Sequence, residues 1–420
     1  MITITEIDKI DYESIPIDPF WNTGTEKELK MHRIHAYPAK FPAFITTKAL
    51  GYAAQNAQGI KTIADIFCGC GTAAFEAKRN NIEFWGCDIN PVATMIAKVK
   101  SRKYQTGRLK KYLNEIIEAF ESSVIEVNYN SANERLKYWY KKKQYTELLH
   151  LKHSIEEVTS KGSAYRLFFI CAFSNILKAT SVWLTKSIKP QVDPNKNPAS
   201  AIIVFKSQCD FMISSNEESD LCGGTGIKIE TGSLLDKQME TPRVDLIVTS
   251  PPYVTSYEYA DLHQLSSLWL GYADDYRDLR KGSIGSLHHD YDFISKRKEL
   301  NNTGNAIVSR LLSQHKSKAR SVAKYFLDMQ AVAKKSYDML NDCGMVLFVI
   351  GNTEYKGVRM DNAKHLTESM QSAGFSEIMA TKRKISKKIL TPYRDKKGRF
   401  TTNSSGRKVY SEEFILIGRK

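Results

Sequence analysis

Apolar and polar positions change rhythm repeatedly along the chain. The segment 61–100, KTIADIFCGCGTAAFEAKRNNIEFWGCDINPVATMIAKVK, alternates short apolar runs with helical spacing. TIADIF reads as a buried strand, GCG as a tight turn and TAAFEAKRN as a short helix. IEFWGCDI reads as a second strand, and PVATMIAKVKS as a helix with Pro91 at its first position. A β-α-β-α order of this kind predicts the start of a parallel, doubly wound sheet.

From about 102 to 218 the period becomes helical throughout. RLKKYLNEIIEAF places Leu109, Tyr112, Leu113, Ile116, Ile117 and Phe120 on one face. ERLKYWYKKKQYTELLHLKHSIEEV and AYRLFFICAFSNILKATSVWL continue the spacing, and KPQVDPNKNP (189–198) is a Pro-rich connector. This stretch reads as a helical insertion within the α/β sheet. Strand signals resume in GIKIETGSLLD and RVDLIVTSPPY. YADLHQLSSLWLGY then reads as one long helix, 276–322 as a polar, basic segment, and AKYFLDMQAVAKKSYDML as a helix. GMVLFVIGNT (344–353) follows as an apolar strand, then the helix NAKHLTESMQSAGF, a basic hairpin-like stretch and a last strand, EEFILIG (412–418). The expected division is 1–101 and 221–420 as the two halves of one α/β domain, with 102–220 as the insertion.

Composition sharpens this picture. The 420 residues hold 61 Lys+Arg against 46 Asp+Glu, a net charge of +15. That balance fits a polyanionic partner, with an ordinary basic enzyme as the plain alternative. The seven cysteines form no CxxC pair, which argues for free thiols and against a disulfide frame or a zinc site. The histidines lack partners at ligand spacing, so no metal is expected. The N-terminus is too polar for a signal peptide, and no apolar run is long enough to span a membrane. A cytoplasmic location is expected.

Candidate chemistry falls at successive strand ends. DIFCGCGT, from Asp65 to Thr72, is a Gly-rich turn between strand and helix, suited to close approach of a ligand. Asp88 ends the next strand, placed to accept ribose hydroxyls of an adenosine-containing cofactor. Ser233 and Leu234, at the end of the third strand, are placed to border an adenine. TSPPY (249–253) ends the fourth strand, where its two prolines would in any case stop sheet pairing.

Together Asp65-x-Phe67-x-Gly69-x-Gly71-Thr72, Asp88 and Ser250-Pro251-Pro252-Tyr253 resemble the motifs of amino-directed DNA methyltransferases. The Ser-Pro-Pro-Tyr form is similar to that of the cytosine-N4 branch, whereas Asp or Asn in first place marks adenine-N6 enzymes. HRIHAYPAKFP (32–42) resembles an N-terminal motif that covers the cofactor's methionine part. DLHQLSSLWLG with RDLRKGSIGS resembles the segment that follows SPPY in one N4 branch. The resemblance covers 30–100 and 228–418; its motif order, cofactor before catalytic, departs from many N4 enzymes.

The resemblance implies a Rossmann-like methyltransferase fold, with a doubly wound mixed sheet, and S-adenosyl-L-methionine as cofactor. The residues it implies around that cofactor are Tyr37, Pro38, Lys40, Phe41, Asp65, Phe67, Gly69, Gly71, Thr72, Asp88, Ile89, Ser233 and Leu234. It further implies Ser250, Pro251, Pro252 and Tyr253 as catalytic, acting on a cytosine flipped out of double-stranded DNA. The context would be restriction-modification or phage defence, with a cognate restriction endonuclease as a further partner. An adenine-N6 enzyme, an RNA base methyltransferase and a non-catalytic nucleic-acid-binding protein of the same fold are the alternatives. The basic, aromatic-interleaved stretches 277–322 and 381–402 are the expected DNA-contact loops, with Arg280, Lys281, Arg394 and Arg399 as phosphate or base-edge contacts. KYWYKKKQY (137–145) in the insertion has similar chemistry.

Overall fold

A computed structural model describes residues 1–24, 27–38, 40–56, 59–221, 224–254, 259–286, 291–385, 393–394, 400–401, 403, 407–408 and 411–420. Its main sheet has eight strands: β1 (Ile2–Thr3), β2 (Thr62–Asp65), β3 (Glu83–Asp88), β4 (Ile227–Thr231), β5 (Val244–Thr249), β6 (Leu340–Ile350), β7 (Glu377–Lys384) and β8 (Glu412–Arg419). They lie in the order β1-β7-β8-β6-β5-β2-β3-β4. Strands β4, β3, β2, β5 and β6 are mutually parallel, while β8 runs antiparallel to both neighbours. This is the expected doubly wound mixed sheet.

Alternate residues along each central strand enter different apolar layers, as the two-residue period of a strand demands. Ala64, Ile247, Val346 and Phe348 join one layer, under the helices that follow β5 and β6. Ile63, Leu246, Leu347 and Val349 join the other, against the N-terminal helix. Because both faces are covered, these strands are apolar almost without interruption.

The helices are α1 (Ala43–Asn56), α2 (Thr72–Arg79), α3 (Pro91–Lys100), α4 (Thr106–Glu121), α5 (Glu134–Trp139), α6 (Lys142–Val158), α7 (Ala164–Ile176), α8 (Ala201–Glu218), α9 (Tyr259–Leu262), α10 (Gln264–Trp269), α11 (Phe293–Lys296), α12 (Asn302–Leu312), α13 (Lys316–Met339) and α14 (Asn362–Ala373). Helices α4 to α8 lie between β3 and β4, over the stretch 102–220 expected as an insertion. Its core, built on Phe168, Phe169, Phe173 and Phe205, also takes in Met31 and Ile34 of the N-terminal motif, Ile96 of α3 and Trp269 of α10. The insertion is therefore packed onto the cofactor-motif half as one apolar mass. No helix among the described residues is long and apolar enough to cross a membrane.

Two expected elements differ. The long helix over YADLHQLSSLWLGY is two short ones, α9 and α10, parted at His263, whose imidazole is held by the Asn90 side chain at 2.9 Å. The segment 276–322 is not simply a polar loop: α12 lies inside it, and α13 begins seven residues before the expected Ala323. Asn301 caps α12 at the Gly304 N–H, and Ile307, Val308 and Leu311 are buried beneath it. The charged stretches on either side of this short helix hid its buried stripe.

Candidate active site

The chain runs outward from β2 to β3 and β4, then returns to place β5 on the other side of β2. The carboxyl edge between β2 and β5 is thus a topological switch point, where open α/β sheets form a crevice. The Gly-rich turn, Asp88, the turn holding Ser233 and the SPPY turn follow β2, β3, β4 and β5, four neighbouring strands.

Asp65 closes β2 from within. One carboxylate oxygen accepts the Phe67 N–H at 3.1 Å and the Thr249 hydroxyl at 2.6 Å, and burial raises its pKa to about 7. It braces the Gly-rich turn against β5. Gly69 and Gly71 have φ of 47° and 75°, left-handed values that suit glycine. They have different neighbours. A Cβ on Gly71 would lie 2.5 Å from Ala97 Cβ, so its bareness serves the packing of α2 on α3. A Cβ on Gly69 would meet the ring of Tyr37 at 3.4 Å. Thr72, first residue of α2, is buried with a hydroxyl that has no partner among the described residues. Phe67 is half-buried against the core. Cys68 is buried, and burial pushes its thiol pKa well up, as befits packing and not a nucleophile.

Asp88 is half-exposed at the end of β3. Its two oxygens accept the Gly69 N–H at 2.9 Å and the Asn90 N–H at 2.8 Å. Burial of the carboxyl lifts its pKa to about 6, while those two donors pull the other way. A carboxylate has about four lone-pair positions, so two remain for a ligand. Ile89 beside it is half-buried and lies under Gly282, which places the segment after the SPPY helices over this edge.

Tyr37 stands over the same edge. Its ring meets His263 edge-on at 5.1 Å and lies nearly parallel to Tyr259 at 6.1 Å. Burial, then the nearby Asp88 charge, pushes its phenol well above the ordinary range. The motif is anchored from below: His32 bonds Glu76 of α2 at 2.7 Å, and His35 bonds Ser174 of α7 at 2.9 Å. Pro38 is half-buried, and Phe41 packs on the apolar layer of α1. Lys40 is engaged by Glu28 at 2.6 Å and the His32 carbonyl at 3.0 Å, so its charge braces the motif.

Leu234 has a side chain only 2% exposed, within the core beneath the turn, so only its backbone faces the edge where an adenine is expected. Ser233 is half-buried, and its hydroxyl accepts the Leu235 N–H at 3.2 Å.

The SPPY turn is held at three points. Ser250 donates its hydroxyl to the Val349 carbonyl of β6 at 3.0 Å. Tyr325 of α13 donates to the Pro252 carbonyl at 2.9 Å. Tyr253 donates to Glu413 at 2.9 Å, and the other Glu413 oxygen takes the buried Arg383 guanidinium at 2.5 Å. Pro251 is buried, and the Tyr253 ring lies over Gly351, where a Cβ would come within 3.1 Å. Tyr325, Glu413 and Arg383 carried no local signal. Tyr325 fits the buried stripe of its helix, and the other two sit in strands buried along most of their length.

The expected DNA contacts fare differently. Arg280 forms an ion pair with Asp261 of α9. Lys281 is exposed, with Asp278 at 3.2 Å. Arg394 lies in a two-residue strand, and its side chain, like Arg399 altogether, falls outside the described residues. Among the described residues no group of three His, Cys, Asp or Glu side chains is placed to hold a metal ion.

No protein-family model matches the chain. Over 398 residues it is 24% identical to a Type II methyltransferase, M.MvaI, of Kocuria varians, covering 88% of this chain and 87% of that protein. Among solved structures, the rRNA methyltransferase aviRa of Streptomyces viridochromogenes aligns over 93% of this chain and 91% of its own. Its sequence identity is 9% and its TM-score 0.28, too low to carry an argument.

Proposed function

We propose that the chain is an S-adenosyl-L-methionine-dependent DNA methyltransferase acting on the exocyclic N4 of a cytosine flipped from the duplex. Near full-length similarity to a Type II methyltransferase supports methyl transfer. One observation carries the assignment to an amino group. The Ser250 proton is committed to the Val349 carbonyl, so the hydroxyl oxygen keeps lone pairs with which to accept.

An exocyclic amine on cytosine is a poor nucleophile, because its lone pair is delocalised into the ring. Acceptors on its protons draw the nitrogen toward a tetrahedral, more nucleophilic form. Ser250 Oγ and the Pro251 carbonyl are those acceptors in this reading. Tyr325 and the fixed φ of Pro252 hold the peptide behind them. Tyr253, its hydroxyl clamped by Glu413 and Arg383, offers a ring for the flipped base to stack on. Flipping costs a few kcal/mol, which the pocket contacts offset. Neither a covalent nucleophile nor a general base of matched pKa enters. The N4–C bond forms as the methyl carbon's bond to the donor sulfur breaks, the donor leaves as a neutral thioether, and the proton that N4 sheds passes to solvent. Positioning therefore contributes most.

The β2–β5 edge suits the cofactor. Asp88 retains lone pairs for two ribose hydroxyls, Gly69 leaves the backbone bare, and the Thr72 hydroxyl is unspent among the described residues. Asp88, Gly69, Ser233 and Tyr37 would hold it. When bound, it supplies an electrophilic methyl carbon. Such an enzyme fits a restriction-modification pair, shielding sites from a partner endonuclease.

The test is a Ser250→Ala variant, assayed for cofactor binding by calorimetry and for methyl transfer to duplex DNA. Binding should stay within twofold of the parent while transfer falls by about 10²–10³, the usual loss for one polar contact made chiefly in the transition state. Transfer at the parental rate would remove Ser250 from the chemistry.

A further inference from the structure

The corner between α5 and α6 carries charge that its own helices do not use. Helix α6 starts at Lys142 with Lys141 as N-cap; the Lys141 side chain caps nothing, and no acid occupies the first turn. Lys141, Lys142 and Lys143 are all exposed, and none of the three is paired with a carboxylate among the described residues. Each opposes the positive end of the helix dipole, where an acid would be favoured.

Beside them Tyr138 is 55% exposed, although large aromatic side chains are usually covered. The Arg135 guanidinium lies 4.9 Å from its ring and 5.6 Å from that of Tyr276. The corner is also braced by contacts to its neighbours. Trp139 stacks on Trp183 at 4.9 Å, Arg135 donates to Gln264 at 2.7 Å, and Asn133 donates to the Asp274 carbonyl at 3.0 Å. Gln264 and Asp274 belong to the segment following the SPPY turn, so the corner is fastened to the candidate active site.

We propose that this corner grips the phosphate backbone of duplex DNA, with Lys141, Lys142 and Lys143 on phosphates and the Tyr138 hydroxyl donating to the same strand. Unpaired ammonium groups beside an exposed phenol are the chemistry that phosphate contacts use. The surface rests on the reading of DNA as substrate, and it makes the insertion a working part of the DNA clamp.

The triple variant Lys141→Gln, Lys142→Gln, Lys143→Gln tests it, with Lys161→Gln as an exposed control in the same insertion. Binding of a fluorescent duplex is followed by anisotropy across a salt series, beside cofactor binding, thermal unfolding and methyl transfer. Three lost phosphate contacts should shrink the slope of log K against log salt by roughly 2.7, at 0.9 per contact. Affinity at low salt should fall at least tenfold, with cofactor binding unchanged, no loss of thermal stability, and the control at the parental slope. Tyr138→Phe should weaken binding several-fold without altering the slope. If the parent methylates duplex DNA but the triple variant keeps the parental slope, the corner is overturned and the DNA reading stands. If the parent neither binds nor methylates duplex DNA, that reading falls and takes this partner with it. Tighter binding to anionic lipid vesicles or to RNA than to the duplex would also overturn the assignment.

Discussion

Cofactor affinity should depend on pH through Asp88. Its carboxyl accepts two backbone N–H groups and, with a pKa lifted to about 6, is largely ionised above pH 7 and largely protonated at pH 5. A ribose bound through its hydroxyls needs the ionised form. The apparent dissociation constant should then scale as 1 + 10^(pKa − pH), giving roughly tenfold weaker binding at pH 5 than at pH 7.5. Asp88→Asn removes the charge and one of the two acceptor oxygens. At pH 8 it should weaken binding by roughly 1.5–3 kcal/mol, or about 10- to 150-fold, and flatten the profile. Without cofactor the same raised pKa acts on folding in the other sense. The native carboxyl keeps its proton up to about pH 6, while the unfolded one releases it near 3.8. This group's contribution to stability is therefore full at low pH and lost as pH rises through 6. Calorimetric titration of the parent and Asp88→Asn with S-adenosyl-L-methionine from pH 5 to 8 is the assay. Equal affinity at both ends, or a variant that keeps the parental slope, would show that Asp88 does not bind the ribose as a carboxylate.

Asp65→Asn keeps an oxygen for Phe67 and Thr249 but removes a buried charge whose pKa is about 7. Parental stability should fall relative to the variant as pH rises through 7, the gap widening by roughly 2.6 kcal/mol between pH 5 and 8 in urea unfolding; a constant gap would count against it. Tyr325→Phe should cost about 1–2 kcal/mol of stability by leaving the Pro252 carbonyl unbonded. It should also lower kcat about tenfold with little change in cofactor affinity, and an unaltered kcat would free the turn from this residue. Gly71→Ala meets both a φ of 75° and a contact of 2.5 Å at Ala97, so a loss of about 2–4 kcal/mol is expected in thermal unfolding. A change under 0.5 kcal/mol would show that α2 and α3 part easily.

The sequence was most legible where structure is local. The run from β2 to α3 follows the expected order, because Gly turns, Pro91 and unbroken apolar strands are short-range signals. The carboxyl edge was readable for the same reason, since each candidate closes its own strand. Long-range geometry was not legible. Tyr325 reaches Pro252 from 73 residues away and Glu413 reaches Tyr253 from 160, distances over which no spacing rule operates. Likewise Gly71 reads as a ligand turn until Ala97 is seen against it. Arg280 reads as a free cation until Asp261 is seen beside it.

Identifying the methylated base decides whether the protein modifies cytosine N4. The protein is incubated with methyl-tritiated S-adenosyl-L-methionine and duplex DNA of mixed sequence, and the DNA is digested to nucleosides and chromatographed. Label is expected in N4-methyldeoxycytidine and should be lost with Ser250→Ala. Label in N6-methyldeoxyadenosine would contradict the choice of base, and no label in DNA would contradict the enzyme.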